Sequence, residues 1–136
     1  MLQIDHPSPI EVGGVVYPSV EHAYWALSTR GAGARDRIRV AERAGDARKL
    51  AEKEPRVENW SRIRTAVMAG LLRAKYRQHP ELAEVLLGTG DAPIAYAGMA
   101  SEHWIAHGGN GRNWVGRLLE LVRSELLVQY SDIAFP

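Results

Sequence analysis

The sequence predicts an α+β protein that is mainly helical, with a few short strands. Several stretches repeat apolar residues every three or four positions, as amphipathic helices do, and one short stretch places β-branched residues around a glycine pair, as a hairpin does. The chain has 136 residues, of which 46% are hydrophobic. This length suffices for one hydrophobic core and is short for two, so residues 1–136 are expected to form a single domain.

The first predicted elements are a hairpin and a short helix. Residues 10–18, IEVGGVVYP, favour two strands joined at Gly13 and Gly14, with Pro18 ending the second strand. Ser19 is suited to cap a helix that starts at Val20. The core positions predicted for this helix are Val20, Ala23, Tyr24 and Leu27.

A charged helical segment and a long helix follow. Residues 34–54 favour helix with little burial, broken near Gly45, where Asp46 can cap a second piece. The long helix is expected to follow Asn59 and Trp60 and to end near His79. Its predicted core stripe is Ile63, Val67, Leu71 and Ala74. Apolar residues at Ala66, Met68 and Leu72 flank this stripe, so the helix is expected to be buried on more than one side.

The last third predicts two helices separated by short strands. Pro80 favours the first turn of a helix over PELAEVLL, which Gly88 or Gly90 ends. PIAYAG (93–98) predicts a strand and HWIAHGG (103–109) predicts another. The final helix has its predicted apolar face at Val115, Leu118, Leu119, Val122 and Leu126.

Composition limits the classes of function. Without cysteine there is no disulfide or thiolate chemistry, and no apolar run approaches the twenty residues of a membrane span. The N-terminus MLQIDHPSPI has no signal-peptide pattern, so we expect a cytoplasmic protein with no membrane partner. Residues 30–77 hold 14 of the 17 basic and six of the 16 acidic residues, a net +8 against −7 elsewhere. This asymmetry suits either an anionic ligand, nucleic acid included, or solvated helix faces with ion pairs.

The stretch EHAYW (21–25) is a candidate for chemistry. On a helix, Glu21, Trp25 and Ser28 fall on one stripe, with Tyr24 at its boundary. Aromatic faces can stack on a heterocycle, and a partly desolvated glutamate can act as a base or stabilise positive charge. Alternatively, Glu21 merely complements the helix dipole and His22 points to water. The sequence leaves open whether the dipole lowers the pKa of Glu21 more than desolvation raises it.

The glycine-rich turn GGNGRN (108–113) is the second candidate. Because it precedes a helix, its free N–H groups, with Arg112 and Arg117 nearby, could bind an anion; alternatively it is an ordinary loop with Asn113 as the N-cap. It matches neither a P-loop nor a dinucleotide fingerprint. The five histidines have no metal-site spacing, so we expect no metal and no cofactor.

Three blocks of the sequence resemble the NADAR family in order and spacing: VGGVVYPSVEHAYWALS, ENWSRIRTAVMAGLLRAKYRQHPELAEVLLGTGD and GNGRNWVGRLLELVR. The resemblance covers residues 10–127. It implies hydrolysis of an N-glycosidic bond, either in phosphoribosylated pyrimidine intermediates of riboflavin synthesis or in guanine of nucleic acid that carries ADP-ribose. It also implies that the partner is a phosphorylated ribose compound or an ADP-ribosylated base.

The resemblance also implies roles for individual residues. Glu21 matches the family's helix glutamate, which handles water or the leaving base. We expect Tyr24, with either Trp25 or Trp104, to shape the base pocket. Trp104 and the turn, with Gly109, Asn110, Gly111, Arg112 and Asn113, match the segment that closes a ribose phosphate pocket. On this interpretation the glycines let the backbone approach the phosphorylated sugar.

The sequence departs from the family pattern at several positions. Ser28 stands where the family carries a lysine, Ser101 where an aspartate is typical, and Ile105 where a glycine follows the tryptophan. The N-terminal FSNF-like segment is also absent. Serine carries no positive charge, and Arg30, about 200° around the helix from Ser28, is a poor substitute. Ser28 and Ser101 keep open the alternative of a catalytically impaired sensor of NAD or ADP-ribose. The net +8 charge of residues 30–77 keeps open a second alternative, a remover of ADP-ribose from guanine in DNA.

Overall fold

The computed structural model describes residues 1–135 and contains two compact units. One unit comprises residues 3–78, and the other comprises Met1–Leu2 with the chain from His79 onward. The described elements are two strands and six α-helices, which confirms the predicted mainly helical α+β class. None of the helices within residues 1–135 is long and apolar enough to cross a membrane.

The unit of residues 3–78 begins with the predicted hairpin. Strands β1 (Ile10–Val12) and β2 (Val15–Tyr17) pair antiparallel, with Ile10 opposite Tyr17. Gly13 and Gly14 both have positive φ, as a tight two-residue turn requires. The side chain of Gln78 holds the hairpin by accepting from the main-chain N–H of Glu11 at 2.8 Å and donating to its carbonyl at 2.9 Å.

Helix α1 (Val20–Leu27) follows with its predicted cap. The Ser19 hydroxyl accepts a hydrogen bond from the main-chain N–H of His22 at 3.1 Å. The helix packs against α2 (Ala32–Arg39), α3 (Ala44–Glu52) and α4 (Trp60–Gln78). Because α1 is surrounded in this way, almost all of its side chains are buried.

The charged segment differs in detail from the prediction. The break lies at residues 40–43 and α3 begins at Ala44, so Gly45 and Asp46 lie inside its first turn and Asp46 is not the cap. Four alanines and one isoleucine of these helices are buried, so the prediction of little burial is wrong; alanine's small side chain lets α2 and α3 pack closely against α1. The buried positions are Ala34, Ile38, Ala44, Ala47 and Ala51.

Helix α4 has the predicted bounds but a different buried face. Ile63 is 38% exposed and Val67 is half-buried, so the predicted stripe fails at its first two positions. Leu71 and Ala74 of the stripe and the flanking Met68 and Leu72 are buried as predicted, whereas the flanking Ala66 is exposed. Lys75 and Tyr76 are also buried, and apolar periodicity does not count lysine as a core residue.

In the other unit, α5 (Pro80–Leu87) packs against α6 (Trp114–Val128). The α5 helix begins at Pro80 and is capped by Gly88, as predicted. The five apolar positions predicted for α6 are all buried. The core of this unit therefore follows the helical periodicity of the sequence.

The two strands predicted in the last third are wrong. Residues 93–98 have no regular structure. Ile94 N–H donates to the Glu120 side chain, the Asn113 amide bridges Ile94 and Tyr96, and the Tyr96 carbonyl accepts from Ala106 N–H at 2.9 Å, which together do not form a β-ladder. Residues 103–109 form turns and a short 3₁₀ segment, His107–Gly109. Among residues 79–135 the structure describes no β-strand.

Candidate functional site

In the unit of residues 3–78, helix α1 brings Glu21 and Trp25 together. The indole Nε1–H of Trp25 donates to Oε2 of Glu21 at 3.1 Å, which fixes the carboxylate against the aromatic side chain. Glu21 is only 8% exposed, whereas Trp25 is half-buried. The i, i+4 spacing expected from the sequence is thus realised as a direct contact.

Burial raises the pKa of Glu21 above its ordinary value of 4.5. The hydrogen bond from Trp25 and the positive charge of Arg48 act in the opposite direction, while the negative charge of Asp5 adds to the increase. Desolvation therefore outweighs the hydrogen bond from Trp25 and the charge of Arg48, which favour the carboxylate. A glutamate with a raised pKa binds and releases protons closer to neutral pH, as a general base requires.

Ser28, at the end of α1, forms a polar contact with Arg56. The buried Ser28 hydroxyl donates to the carbonyl of Trp25 at 2.6 Å and accepts from Nη1 of Arg56 at 2.9 Å. The Arg56 guanidinium also lies 5.6 Å from the centre of the Trp25 ring. Glu21, Trp25, Ser28 and Arg56 therefore form one continuous cluster, which we call the Glu21–Arg56 cluster.

The side chains of Tyr24 and His22 make contacts that stabilise the fold around α1. Tyr24 is buried, with its ring edge-on to Trp25 at 4.9 Å and tilted against Trp60 at 5.2 Å. His22 does not point to water: Nε2 donates to the carbonyl of Ala41 at 2.9 Å, and Nδ1 bonds to the Ser19 hydroxyl at 2.7 Å. Both side chains hold α1 in place, and Tyr24 packs against the Trp25 ring from the buried side.

In the other unit, the glycines of the turn 108–113 have two different roles. Gly108 and Gly109 have φ of 60° and 92°, a region that side-chain-bearing residues avoid, and the space around them is open. Gly111 has ordinary backbone angles, but a Cβ there would lie 1.9 Å from the carbonyl oxygen of Ile105. Gly111 is therefore required by close packing of the protein's own backbone.

The expectation that this turn offers free main-chain N–H groups is wrong. The N–H groups of residues 111–115 all donate to carbonyls of residues 102–106, at distances from 2.7 to 3.2 Å. The preceding loop folds back over the start of α6 and occupies the donors that an anion would use. An anion at this turn has to be bound by side chains instead.

Asn113 precedes α6 as the sequence suggested, but its side chain does not cap the helix. Its backbone is left-handed, with φ of 53°. The amide oxygen accepts from Tyr96 N–H at 2.9 Å and the amide nitrogen donates to the Ile94 carbonyl at 2.7 Å. Both groups are engaged in holding the 94–96 segment.

The remaining predicted site residues of this unit differ in exposure. Trp104 is 1% exposed, with the His103 ring edge-on at 4.5 Å. Ser101 is half-buried, and its hydroxyl accepts from His103 N–H at 3.2 Å. Asn110 and Arg112 are exposed, so their side chains can reach a ligand.

Two further polar residues of the unit of residues 3–78 are not indicated by the sequence alone. Arg56 lies 28 positions from Ser28, and only the fold brings the two side chains together. Lys75 is fully buried, with Nζ donating to the carbonyl of Gln3 at 3.0 Å. Burial lowers the pKa of Lys75 to about 8. The only available signal for Lys75 was its place on the apolar side of a long helix.

Comparison with known proteins places this fold. The family model of the NADAR domain matches residues 2–127. The solution structure of YbiA from Escherichia coli superposes with a TM-score of 0.86 at 28% identity, covering 98% of this chain and 82% of that one. The chain belongs to the NADAR family.

Relatives with curated names come from bacteria and plants. N-glycosidase YbiA of E. coli is 34% identical over 89% of this chain and 78% of its own length. A riboflavin biosynthesis protein of Vibrio vulnificus is 34% identical over 95% of this chain, which spans 38% of that protein. The chloroplastic riboflavin biosynthesis protein PYRR of maize is 30% identical, and this chain spans 20% of it.

Proposed function

We propose that this protein is an N-glycosidase that hydrolyses the bond between a base and the ribose of a phosphoribosyl or ADP-ribosyl compound, such as an intermediate of riboflavin synthesis. The observation that carries the proposal is the hydrogen-bonded pair of Glu21 and Trp25, a desolvated carboxylate against a half-exposed aromatic ring. Membership of the NADAR family and the names of the relatives support it.

In the proposed reaction, water adds to C1′ of the ribose while the C–N bond breaks and its electron pair passes to the base nitrogen. The transition state has oxocarbenium character, so an adjacent carboxylate stabilises its positive charge. Glu21 accepts the proton that the attacking water loses, and solvent protonates the departing base. Trp25, with Tyr24 behind it, provides the aromatic surface on which the base stacks.

For the unit that begins at His79, taken by itself, we propose that the exposed side chains of Asn110 and Arg112 bind a phosphate group. The main-chain donors of the turn are not part of this proposal, because they are occupied within the protein. We expect Arg112→Gln to weaken phosphate binding by this unit, because the substitution removes a charged hydrogen-bond donor.

The deciding experiment measures base release. The parent protein, Glu21→Gln and the control Glu84→Gln, which alters an exposed glutamate, are incubated with a phosphoribosyl aminopyrimidine, ADP-ribosylated guanosine and NAD. We expect release by the parent and the control, and a loss of about 100-fold or more in Glu21→Gln, the size of a general-base contribution. Glutamine keeps an acceptor for the Trp25 indole, so binding should survive. Parent-like turnover by Glu21→Gln would refute the role of Glu21.

One observation favours a second function, a sensor that binds NAD or ADP-ribose without cleaving it. The Ser28 hydroxyl is buried and already makes two hydrogen bonds, so it supplies neither charge nor a free nucleophile. Thermal stabilisation of the parent by ADP-ribose without base release from any of the three compounds would support the sensor and refute the enzyme.

The net charge of residues 30–77 favours a nucleic-acid substrate among the ADP-ribosyl compounds. Some of this charge is neutralised locally, since Arg37 pairs with Glu54 and Arg48 with Glu52. Binding to ADP-ribosylated DNA should weaken steeply as salt rises if phosphates are contacted. A flat salt dependence would exclude this branch of the proposal.

A further inference from the structure

We infer that Arg56 is the phosphate-binding cation of the Glu21–Arg56 cluster, a role that no residue of helix α1 can fill. The inference rests on the proposed function, from which it takes the class of substrate. Its structural basis is the position of one guanidinium that contacts both the aromatic ring and the serine of the cluster.

The backbone holds Arg56 in this position. Residues 28–30 and 55–57 run alongside each other, with an antiparallel bridge between Thr29 and Arg56 and a hydrogen bond of 2.9 Å from Val57 N–H to the Ser28 carbonyl. The Arg30 side chain also donates to the Arg56 carbonyl at 2.8 Å. The bridge and the side-chain hydrogen bond of Arg30 therefore fix the Cα of Arg56 relative to the end of α1, as a preorganised binding residue requires.

The guanidinium itself is only partly used. Both of its hydrogen bonds come from Nη1, one to Ser28 Oγ and one, at 3.0 Å, to the Ala51 carbonyl near the end of α3. These bonds leave Nε and Nη2 as donors, and these atoms can form the paired hydrogen bonds that guanidinium makes with phosphate. Arg56 is half-buried, so a ligand can reach it.

The charge of Arg56 is also available. Among residues 1–135, no carboxylate forms an ion pair with Arg56, in contrast to Arg37 and Arg48 of the same unit. Its contacts are a hydroxyl, a carbonyl and an aromatic ring, none of which neutralises a full positive charge. A partly desolvated, unneutralised arginine beside a stacking surface suits the phosphate of a nucleotide-like ligand.

Ser28 becomes a positioning residue on this interpretation. Its hydroxyl links the carbonyl of Trp25 to Nη1 of Arg56, so it orients the guanidinium along the Trp25 ring. A small neutral residue at position 28 leaves room for the arginine that arrives from position 56. Positive charge is thus supplied to the end of α1 by a residue distant in sequence.

The test compares ribose 5-phosphate with unphosphorylated ribose as probes. Dissociation constants are measured for the parent, Arg56→Gln, Arg56→Lys and the control Arg37→Gln, which removes an exposed arginine. We expect the parent to prefer ribose 5-phosphate, and Arg56→Gln to bind it about 10- to 100-fold more weakly with ribose unaffected. The affinity of Arg56→Lys for ribose 5-phosphate should lie between those of the parent and Arg56→Gln, because lysine keeps the positive charge and lacks the paired donors of the guanidinium. Arg37→Gln should bind as the parent does.

A charge-relocation variant sharpens the test. Ser28→Lys combined with Arg56→Gln returns a cation to the end of α1, and we expect it to regain part of the preference for ribose 5-phosphate. If Arg56 has a purely structural role, holding α3 through the Ala51 carbonyl, its loss should weaken the binding of ribose 5-phosphate and of ribose equally. The double variant would then not restore the preference for ribose 5-phosphate. That outcome, or parent-like binding of ribose 5-phosphate by Arg56→Gln, overturns the inference.

A measurement on the parent covers the case in which Arg56→Gln does not fold. The side-chain Nε–H resonance of Arg56, assigned with Arg56→Lys, should shift when ribose 5-phosphate is added and stay in place with ribose. An unchanged resonance at saturation, or no binding of ribose 5-phosphate at all, overturns the inference.

The proposed function can fail separately. If the parent binds ribose 5-phosphate through Arg56 but releases no base from any of the three compounds, the N-glycosidase proposal fails and the inference stands. If the parent releases base and Arg56→Gln retains the parental KM, the proposed function stands and the inference fails.

Discussion

Lys75 gives a quantitative prediction about stability and pH. It is fully buried on α4, with Nζ bonded to the Gln3 carbonyl and 5.2 Å from the centre of the Tyr76 ring. Desolvation lowers its pKa from 10.5 to about 8, although the negative charge of Asp5 opposes the change. A difference of this size corresponds to about 3 kcal/mol, by which the charged form of Lys75 destabilises the folded state at neutral pH.

The direction of the pH dependence follows from proton binding. As pH rises past about 8, the folded protein releases the Lys75 proton while the unfolded chain keeps it up to about 10.5. The unfolded state then binds more protons, so the free energy of unfolding increases with pH in this window. Between pH 7 and 10 the parent should gain roughly 2 to 3 kcal/mol relative to Lys75→Met, in which the group is absent.

The assay is urea unfolding followed by tryptophan fluorescence at pH 7, 8, 9 and 10. Methionine has a similar unbranched shape and fills the same space without a charge, so it isolates the titration. Lys53→Met, an exposed lysine at the end of α3, serves as the control and should follow the parent. If the parent and Lys75→Met change in parallel with pH, the buried charge is already compensated and the reasoning is refuted.

Four further predictions concern individual positions. The stability that Glu21 contributes is full below pH 4.5 and decreases as pH rises through its raised pKa. In urea unfolding, Glu21→Gln should therefore gain stability relative to the parent between pH 4 and pH 7. A constant difference in the free energy of unfolding would contradict this prediction. Gly111→Ala should unfold at a temperature several degrees below that of the parent, because its Cβ would overlap the Ile105 carbonyl. Gly45→Ala, with open space around the added Cβ, should leave the melting temperature unchanged or raise it. Equal melting temperatures for the two variants would refute the packing argument. Asn113→Ala should cost about 2 to 4 kcal/mol in urea, since it loses two hydrogen bonds and retains a left-handed backbone, and a loss below about 1 kcal/mol would show that water replaces the amide. Trp60→Ala should cost about 3 to 5 kcal/mol, because the ring is buried against Tyr24; a much smaller loss would mean that the site collapses around the missing ring.

The candidate site was partly visible in the sequence. Glu21 and Trp25 are four residues apart on one helix, so helical geometry alone placed them in contact. The pKa of Glu21 could not be assigned in advance, since the helix dipole and desolvation act in opposite directions and only the burial of the folded protein decides between them. Arg56 was not visible, because its partner Ser28 is contacted through pairing of two distant segments.

At the turn of residues 108–113, the sequence predicted the local structure correctly but not which hydrogen-bond donors are free. Its glycines and the following helix correctly indicated a turn that precedes α6, and the sequence suggested exposed N–H donors. The donors are occupied because residues 102–106 fold back over them, and Gly111 is small because of that same close approach. A local motif shows which groups are available in principle, whereas the neighbouring segment decides whether they remain so.

By itself, the sequence determined the features that depend on neighbours within about one helical turn. These are the hairpin at Gly13 and Gly14, the Ser19 cap, the bounds of α4 and α5, the buried face of α6 and the contact between Glu21 and Trp25. Tertiary structure decided what depends on contacts between distant segments. It exposed Ile63 and buried Lys75 on α4, bonded residues 94–96 to the side chains of Asn113 and Glu120 in place of a strand, and brought Arg56 to Ser28. The physical reason is that periodicity, capping and turn chemistry are local properties of the chain, whereas desolvation and long-range hydrogen bonding depend on which segments the whole fold packs together.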